Sequence, residues 1–174
     1  MVNQLLEARN WQIFLLIFGL PLLSIVLDIH PMISFYSFLL SGFFYFSWIY
    51  AIGYGLSQKL PKGFSLNIQR FRILFFIPIL YIIILFNFIE PIFFQWLNPE
   101  EHLGLFLVLI FLHIFSGLCI MHSFWFAAKI IRTLELNRHA KFTEFRIDFI
   151  LFIYYPIGIW LLQPRINKIV QRPE

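Results

Sequence analysis

Five long stretches with almost no charge dominate the chain, at 11–27, 32–56, 73–89, 103–128 and 149–164. A helix crossing the hydrocarbon core of a bilayer needs roughly 20 apolar residues, usually about 17–25. The first four stretches meet that length. The fifth is at the short end and is broken by Pro156 and Gly158. The composition excludes an ordinary soluble fold: 60% of the residues are hydrophobic and 13% are charged, against about 45–50% apolar and about 25% charged in soluble domains. The expected class is an all-α integral membrane protein forming a single membrane domain over 1–174. Its expected spans lie at about 11–28, 32–56, 71–90 and 103–128.

Charge gives the expected topology, because cytoplasmic loops carry excess Lys and Arg. Lys59, Lys62, Arg70 and Arg72 separate the second and third blocks, and Lys129, Arg132, Arg138, Lys141 and Arg146 follow the fourth. Asp28 and His30 separate the first two blocks, and Glu90, Glu100, Glu101 and His102 the third and fourth. The segment before the first block is therefore placed in the cytoplasm, with the loops alternating outward and inward from there. Leu27-Asp28-Ile29-His30-Pro31 lacks a small-residue cleavage pattern, so the first block is read as a retained anchor.

The fifth block decides where the tail lies. Tyr155-Pro156-Ile157-Gly158 sits at its centre, and proline and glycine both favour a break there. Asp148 and Arg165 flank that break almost symmetrically, whereas a straight helix would hold them about 25 Å apart. A re-entrant or interfacial helical segment over about 147–164 puts all 13 Lys and Arg on the cytoplasmic side. The alternative is five full spans, with Arg165, Lys168 and Arg172 outside.

Local signals refine the reading. Ser34, Ser37, Ser41, Ala51 and Gly55 share one face of the second block, the pattern that lets membrane helices approach closely. Gly19 and Pro21 predict a kink in the first helix. Asn98-Pro99-Glu100-Glu101 predicts a capped helix start, and Trp96 an interfacial position. The fourth helix continues past Lys129, where Arg132, Glu135, Arg138 and His139 have helix-pairing spacing. Thr143 is a candidate cap for a helix beginning at Glu144. After Gln163-Pro164, the segment 165–174 reads as a short basic amphipathic helix suited to an anionic membrane surface.

Several quoted segments are familiar together: Lys59-Leu60-Pro61, Leu66-Asn67, Phe75-Phe76-Ile77-Pro78, Thr133-Leu134-Glu135-Leu136, Phe142-Thr143, and the run from Tyr155 through Pro164-Arg165-Ile166-Asn167-Lys168-Ile169. The chain resembles a group of small, uncharacterised bacterial polytopic membrane proteins that end in P-I-G-I-W-x-x-Q-P-R-x-N-K. The resemblance covers most of the chain, and that final motif is its most specific part. It implies a multi-span membrane protein and supplies no catalytic residues; the expected location is the bacterial cytoplasmic (inner) membrane.

The candidate chemistry is sparse. Intramembrane ionisable residues are functional-site hypotheses by default. His113 is one, weighed against a simple hydrogen bond to a neighbouring helix through Ser37, Ser41 or Asn87. His122 lies nine residues on, about half a turn round the helix, so the two imidazoles do not share a face. Asp28, His30, Glu90, Glu100, Glu101 and His102 lack metal-ligand spacing, and capping and topology account for the glutamates. In the C-terminal motif, Gln163, Arg165, Asn167, Lys168 and Arg172 are candidates for contact with a partner or an acidic lipid headgroup. The competing reading pairs Arg165 with Asp148 while Gln163 and Asn167 satisfy backbone groups. Nucleophile–base pairs, phosphate loops and cysteine clusters are absent, Cys119 being the single cysteine. The expected function is therefore non-enzymatic, with no cofactor, no metal and no nucleic acid. The chain is expected to be a subunit or accessory factor of a membrane complex, contacting the bilayer, other subunits or itself as a homo-oligomer. The alternative is an oligomeric channel or transporter lined by Ser34, Ser37, Ser41, Asn87 and His113.

Overall fold

The computed structural model describes residues 2–61, 64, 66–88 and 103–172. Among them every regular element is helical. In chain order these are α1 (Val2–Glu7), α2 (Asn10–Val26) and α3 (Pro31–Gly55), α4 (Ile68–Phe88), α5 (Leu103–Leu136), α6 (Phe142–Ile153) and α7 (Tyr155–Val170). Three helical stretches, Pro31–Gly55, Ile68–Leu85 and Leu107–Leu136, are long and apolar enough to cross a membrane, and α2 is a shorter apolar helix. The predicted helix start at Asn98 and the interfacial Trp96 lie outside the described residues.

The chain forms two compact units. One holds 1–68 and 124–174, the other 69–123. In the second unit, α4 runs through Pro78 without ending, and Phe71 and Phe75 are buried.

In the first unit, prolines and small residues set the helix geometry. Where a kink was expected, α2 has a π-helical turn at Leu15–Gly19, just before Pro21. Asp28 turns the chain with a positive φ of 46°, and His30 caps α3 by accepting from the Met32 amide through Nδ1 at 3.3 Å. The small-residue face of α3 divides between two neighbours. Ser37 Oγ lies 3.2 Å from Ser24 Oγ, and Ser41 donates to the Ile17 carbonyl, both on α2. Farther along, α3 has a second π-helical turn at Ala51–Gly55, and α1 packs there. A Cβ on Gly55 would lie 2.6 Å from Leu6 and 2.9 Å from Val2.

The end of α5 and the start of α6 differ from the sequence expectation. Asn137, at φ 51°, ends α5, because a short polar side chain tolerates the left-handed region. Helix α6 then begins at Phe142 rather than Glu144. Glu144 Oε2 accepts from the Lys141 amide at 2.8 Å, so Glu144 does the capping and Thr143 lies inside the first turn. Arg138, outside the helix, pairs with Glu144 and not with Glu135.

Tyr154 alone separates α6 from α7, with φ −92° and ψ 53°. Pro156 stands in the first turn of α7, where its missing N–H breaks no bond within α7 itself. Gly158 is needed because a Cβ there would lie 1.9 Å from the Leu151 carbonyl oxygen. The tail is not a separate helix. It belongs to α7, and Ile166 and Ile169 are buried in the protein, so its apolar face is already covered.

Gly158→Ala should lower the thermal midpoint in detergent, at a cost of about 2–4 kcal/mol, since backbone must move to admit the methyl group. Gly42→Ala, where nothing lies within 4 Å of the added carbon, should be neutral or raise the midpoint, alanine being better by about 0.5–1 kcal/mol in a helix interior. Equal midpoints for the two variants would contradict the close α6–α7 approach.

Candidate functional site

The motif at the end of α7 builds two polar centres in the first unit. The first surrounds Gln163, which is fully buried. Helix α1 is six residues long, so its last carbonyls have no helical donors. Gln163 Nε2 faces those of Leu5 at 3.1 Å, Leu6 at 3.2 Å and Ala8 at 2.9 Å. It also lies 2.9 Å from Asn167 Oδ1, one turn later, and Asn167 Nδ2 donates to Ala8 at 3.1 Å. The other end of the amide, Oε1, accepts from Trp48 Nε1 at 2.7 Å. One side chain thus caps α1, orients Asn167 and fixes the indole of α3.

The second centre is a guanidinium held between two carboxylates. Arg165 Nε and Nη2 each donate to Glu135 at 2.7 Å, while Nη1 and Nη2 reach Asp148 at 2.5 and 3.0 Å. Glu135 also accepts from Arg132 at 3.0 Å. Two arginines and two acids make the group neutral overall. Burial works against the Arg165 charge, but the hydrogen bonds it donates to Glu135 and Asp148 outweigh it and raise its pKa above the ordinary value. Asp148 is 6% exposed and Arg165 27%, so this is a partly buried pair whose geometry is that of the strong bidentate kind. Arg172 Nη1 adds a bond to the Leu134 carbonyl at 3.1 Å, capping the last turn of α5.

These contacts bring four chain segments together: the α1–α2 link, the end of α5, the middle of α6 and the end of α7. Of the sequence candidates there, Gln163 and Asn167 face inward, Arg165 joins Asp148, and Arg172 is exposed with one nitrogen on α5. Lys168 is exposed, as are Arg9, Lys141 and Arg146. Sequence reasoning missed Glu135 as the second carboxylate, and it missed Trp48 and the α1 carbonyls as partners of Gln163.

Two further bonds answer to proline. The Ile17 carbonyl would have the nitrogen of Pro21 as its α-helical donor, and the Phe152 carbonyl that of Pro156; neither nitrogen carries a hydrogen. Ser41 donates to the first and Tyr45, one turn on, to the second. The rule that a proline leaves the carbonyl four residues earlier without its donor is the signal that would have found both.

In the second unit, His113 Nδ1 lies 3.3 Å from Tyr81 Oη, a partner on the neighbouring helix that the sequence reading did not name. The hydroxyls of Ser37 and Ser41 are engaged within the first unit. The side chain of Asn87 lies outside those described. Among the described residues no three His, Cys, Asp or Glu side chains converge as a metal site.

The chain matches no protein-family model, no curated protein and no solved structure.

Arg165→Lys should destabilise the protein by about 2–3 kcal/mol. A single ammonium cannot make paired bonds to two carboxylates, and the full cost of about 3–5 kcal/mol for a broken buried pair is reduced by solvent access. Thermal unfolding in detergent checks this. A lysine variant as stable as the parent would show that charge alone, without the fork, suffices.

Proposed function

We propose that this chain is a non-catalytic protein of the bacterial inner membrane, acting as a subunit or accessory factor of a membrane complex through a basic cytoplasmic face. Four spans, α2 to α5, carry it across the bilayer. The α6–α7 hairpin enters from the cytoplasmic side and returns, so that the segments before α2 and after α7 share that side.

The observation that carries this reading is the polarity of the hairpin. Its base holds the Arg165 clamp, and its turn exposes Ile153, Tyr154, Ile157, Trp160 and Leu161. An apolar turn above an ionic base suits partial insertion into a bilayer. The usual obstacle, non-helical backbone at membrane depth, is met here by donors: Tyr45 serves the Phe152 carbonyl, and the Tyr154 carbonyl accepts from Gly158 at 2.9 Å.

The same geometry separates the roles within the motif. Gln163, Asn167 and Arg165 hold the fold, which leaves Lys168, Lys141 and Arg146 as the cations offered outward. A second reading, an oligomeric channel or transporter, draws on one feature: His113 is exposed on its helix with Tyr81 as partner, and polar groups facing lipid favour a further helix beside them.

Lys168→Glu should abolish co-purification of the partner from native membranes in mild detergent while leaving the thermal midpoint unchanged. Retention of a stoichiometric partner by Lys168→Glu and by Arg146→Glu alike would count against the basic face. A homogeneous homo-oligomer with no partner would move the weight to the second reading.

A further inference from the structure

Helices α1, α2 and α3 enclose an open groove of about 830 Å³. Its floor is the face of α2 that carries Trp11, Leu15, Leu16 and Leu20, with Phe44 of α3 beside it. These side chains are not a satisfied core. Trp11, Leu15 and Leu20 are each about half exposed. From Trp11 to Leu20 the helix rises about 14 Å, close to half of the roughly 30 Å hydrocarbon thickness. The groove is therefore about as long as one leaflet is deep.

Its mouth has a different chemistry. Gln4 and Glu7 of α1 and Gln12 of α2 line it, and Glu7 is the one ionised side chain in the lining. No Lys or Arg contributes. This stands out in a chain whose formal charge is +4. A headgroup that is purely anionic would meet a carboxylate there. One that carries an ammonium would find it paired, with the glutamine amides able to donate to its phosphate.

We infer that the groove holds one phospholipid of the inner leaflet with a primary-ammonium headgroup, a phosphatidylethanolamine, its ammonium at Glu7 and an acyl chain along α2 between Trp11 and Leu20. Three observations meet in this assignment: the length of the groove, its apolar floor continuous with the exposed face of α2, and the sign of the charge at its mouth. The site differs from the basic face proposed above. It uses none of that face's cations, and it rests on the proposed topology only in placing the start of α2 at the cytoplasmic side.

Native mass spectrometry of the whole protein tests this. The protein would be purified in mild detergent and re-equilibrated with equimolar phosphatidylethanolamine and phosphatidylglycerol. The expected result is one retained phosphatidylethanolamine, favoured about fivefold over phosphatidylglycerol, the scale of one solvent-accessible ion pair. Glu7→Gln should keep a lipid but lose the preference. Leu16→Trp, which fills the floor, should lose the lipid while keeping the thermal midpoint. Equal retention of the two lipids by the parent, an unchanged preference in Glu7→Gln, or undiminished binding in Leu16→Trp would each overturn the assignment. Loss of a partner by Lys168→Glu does not bear on this outcome, so the two readings fail separately.

Discussion

The buried carboxamide of Gln163 is the interaction on which the rest of the first unit depends. A helix as short as α1 is not stable by itself, since nucleation is unfavourable and its terminal carbonyls lack donors. Gln163 supplies those donors from a residue more than 150 positions away, and Asn167 adds another. Because Trp48 donates to the other end of the same amide, the position of α1 is tied to α3. Leu5 and Leu6 are buried as a consequence, and the groove described above exists only because α1 is held there.

The hairpin that presents Gln163 has its own requirements. Away from water, a carbonyl without a donor is costly. Pro21 and Pro156 each leave one, and adjacent turns of α3 provide Ser41 and Tyr45 for them. The two prolines can therefore shape α2 and α7 without an unpaired acceptor. The Arg165 clamp then closes the base, joining the last turn of α5 to both legs of the hairpin.

The helical class and three helices long enough to cross a membrane were legible as charge-free blocks, because hydrocarbon imposes a length on any helix that crosses it. The turn near Pro156 was also legible, since proline and glycine act locally and Asp148 and Arg165 flank them. What was not legible depends on distant partners. Nothing around Gln163 points to Leu5 or Trp48, and a buried glutamine has no periodicity. Glu135 offered a local pairing with Arg138, and that reading failed because Asn137 ends the helix one residue earlier. The amphipathic tail was read by its pattern alone. The same pattern describes a face for lipid or for protein, and here Ile166 and Ile169 pack on protein.

A cysteine pair at Ala8 and Asn167, in a Cys119→Ala background, tests the central joint most directly, because Asn167 bonds the Ala8 carbonyl. In native membranes under mild oxidation, the two cysteines should form an intramolecular disulfide within minutes, seen as faster migration on a non-reducing gel. Two cysteines that both react with a small thiol reagent yet never cross-link would place α1 away from α7 and contradict the account.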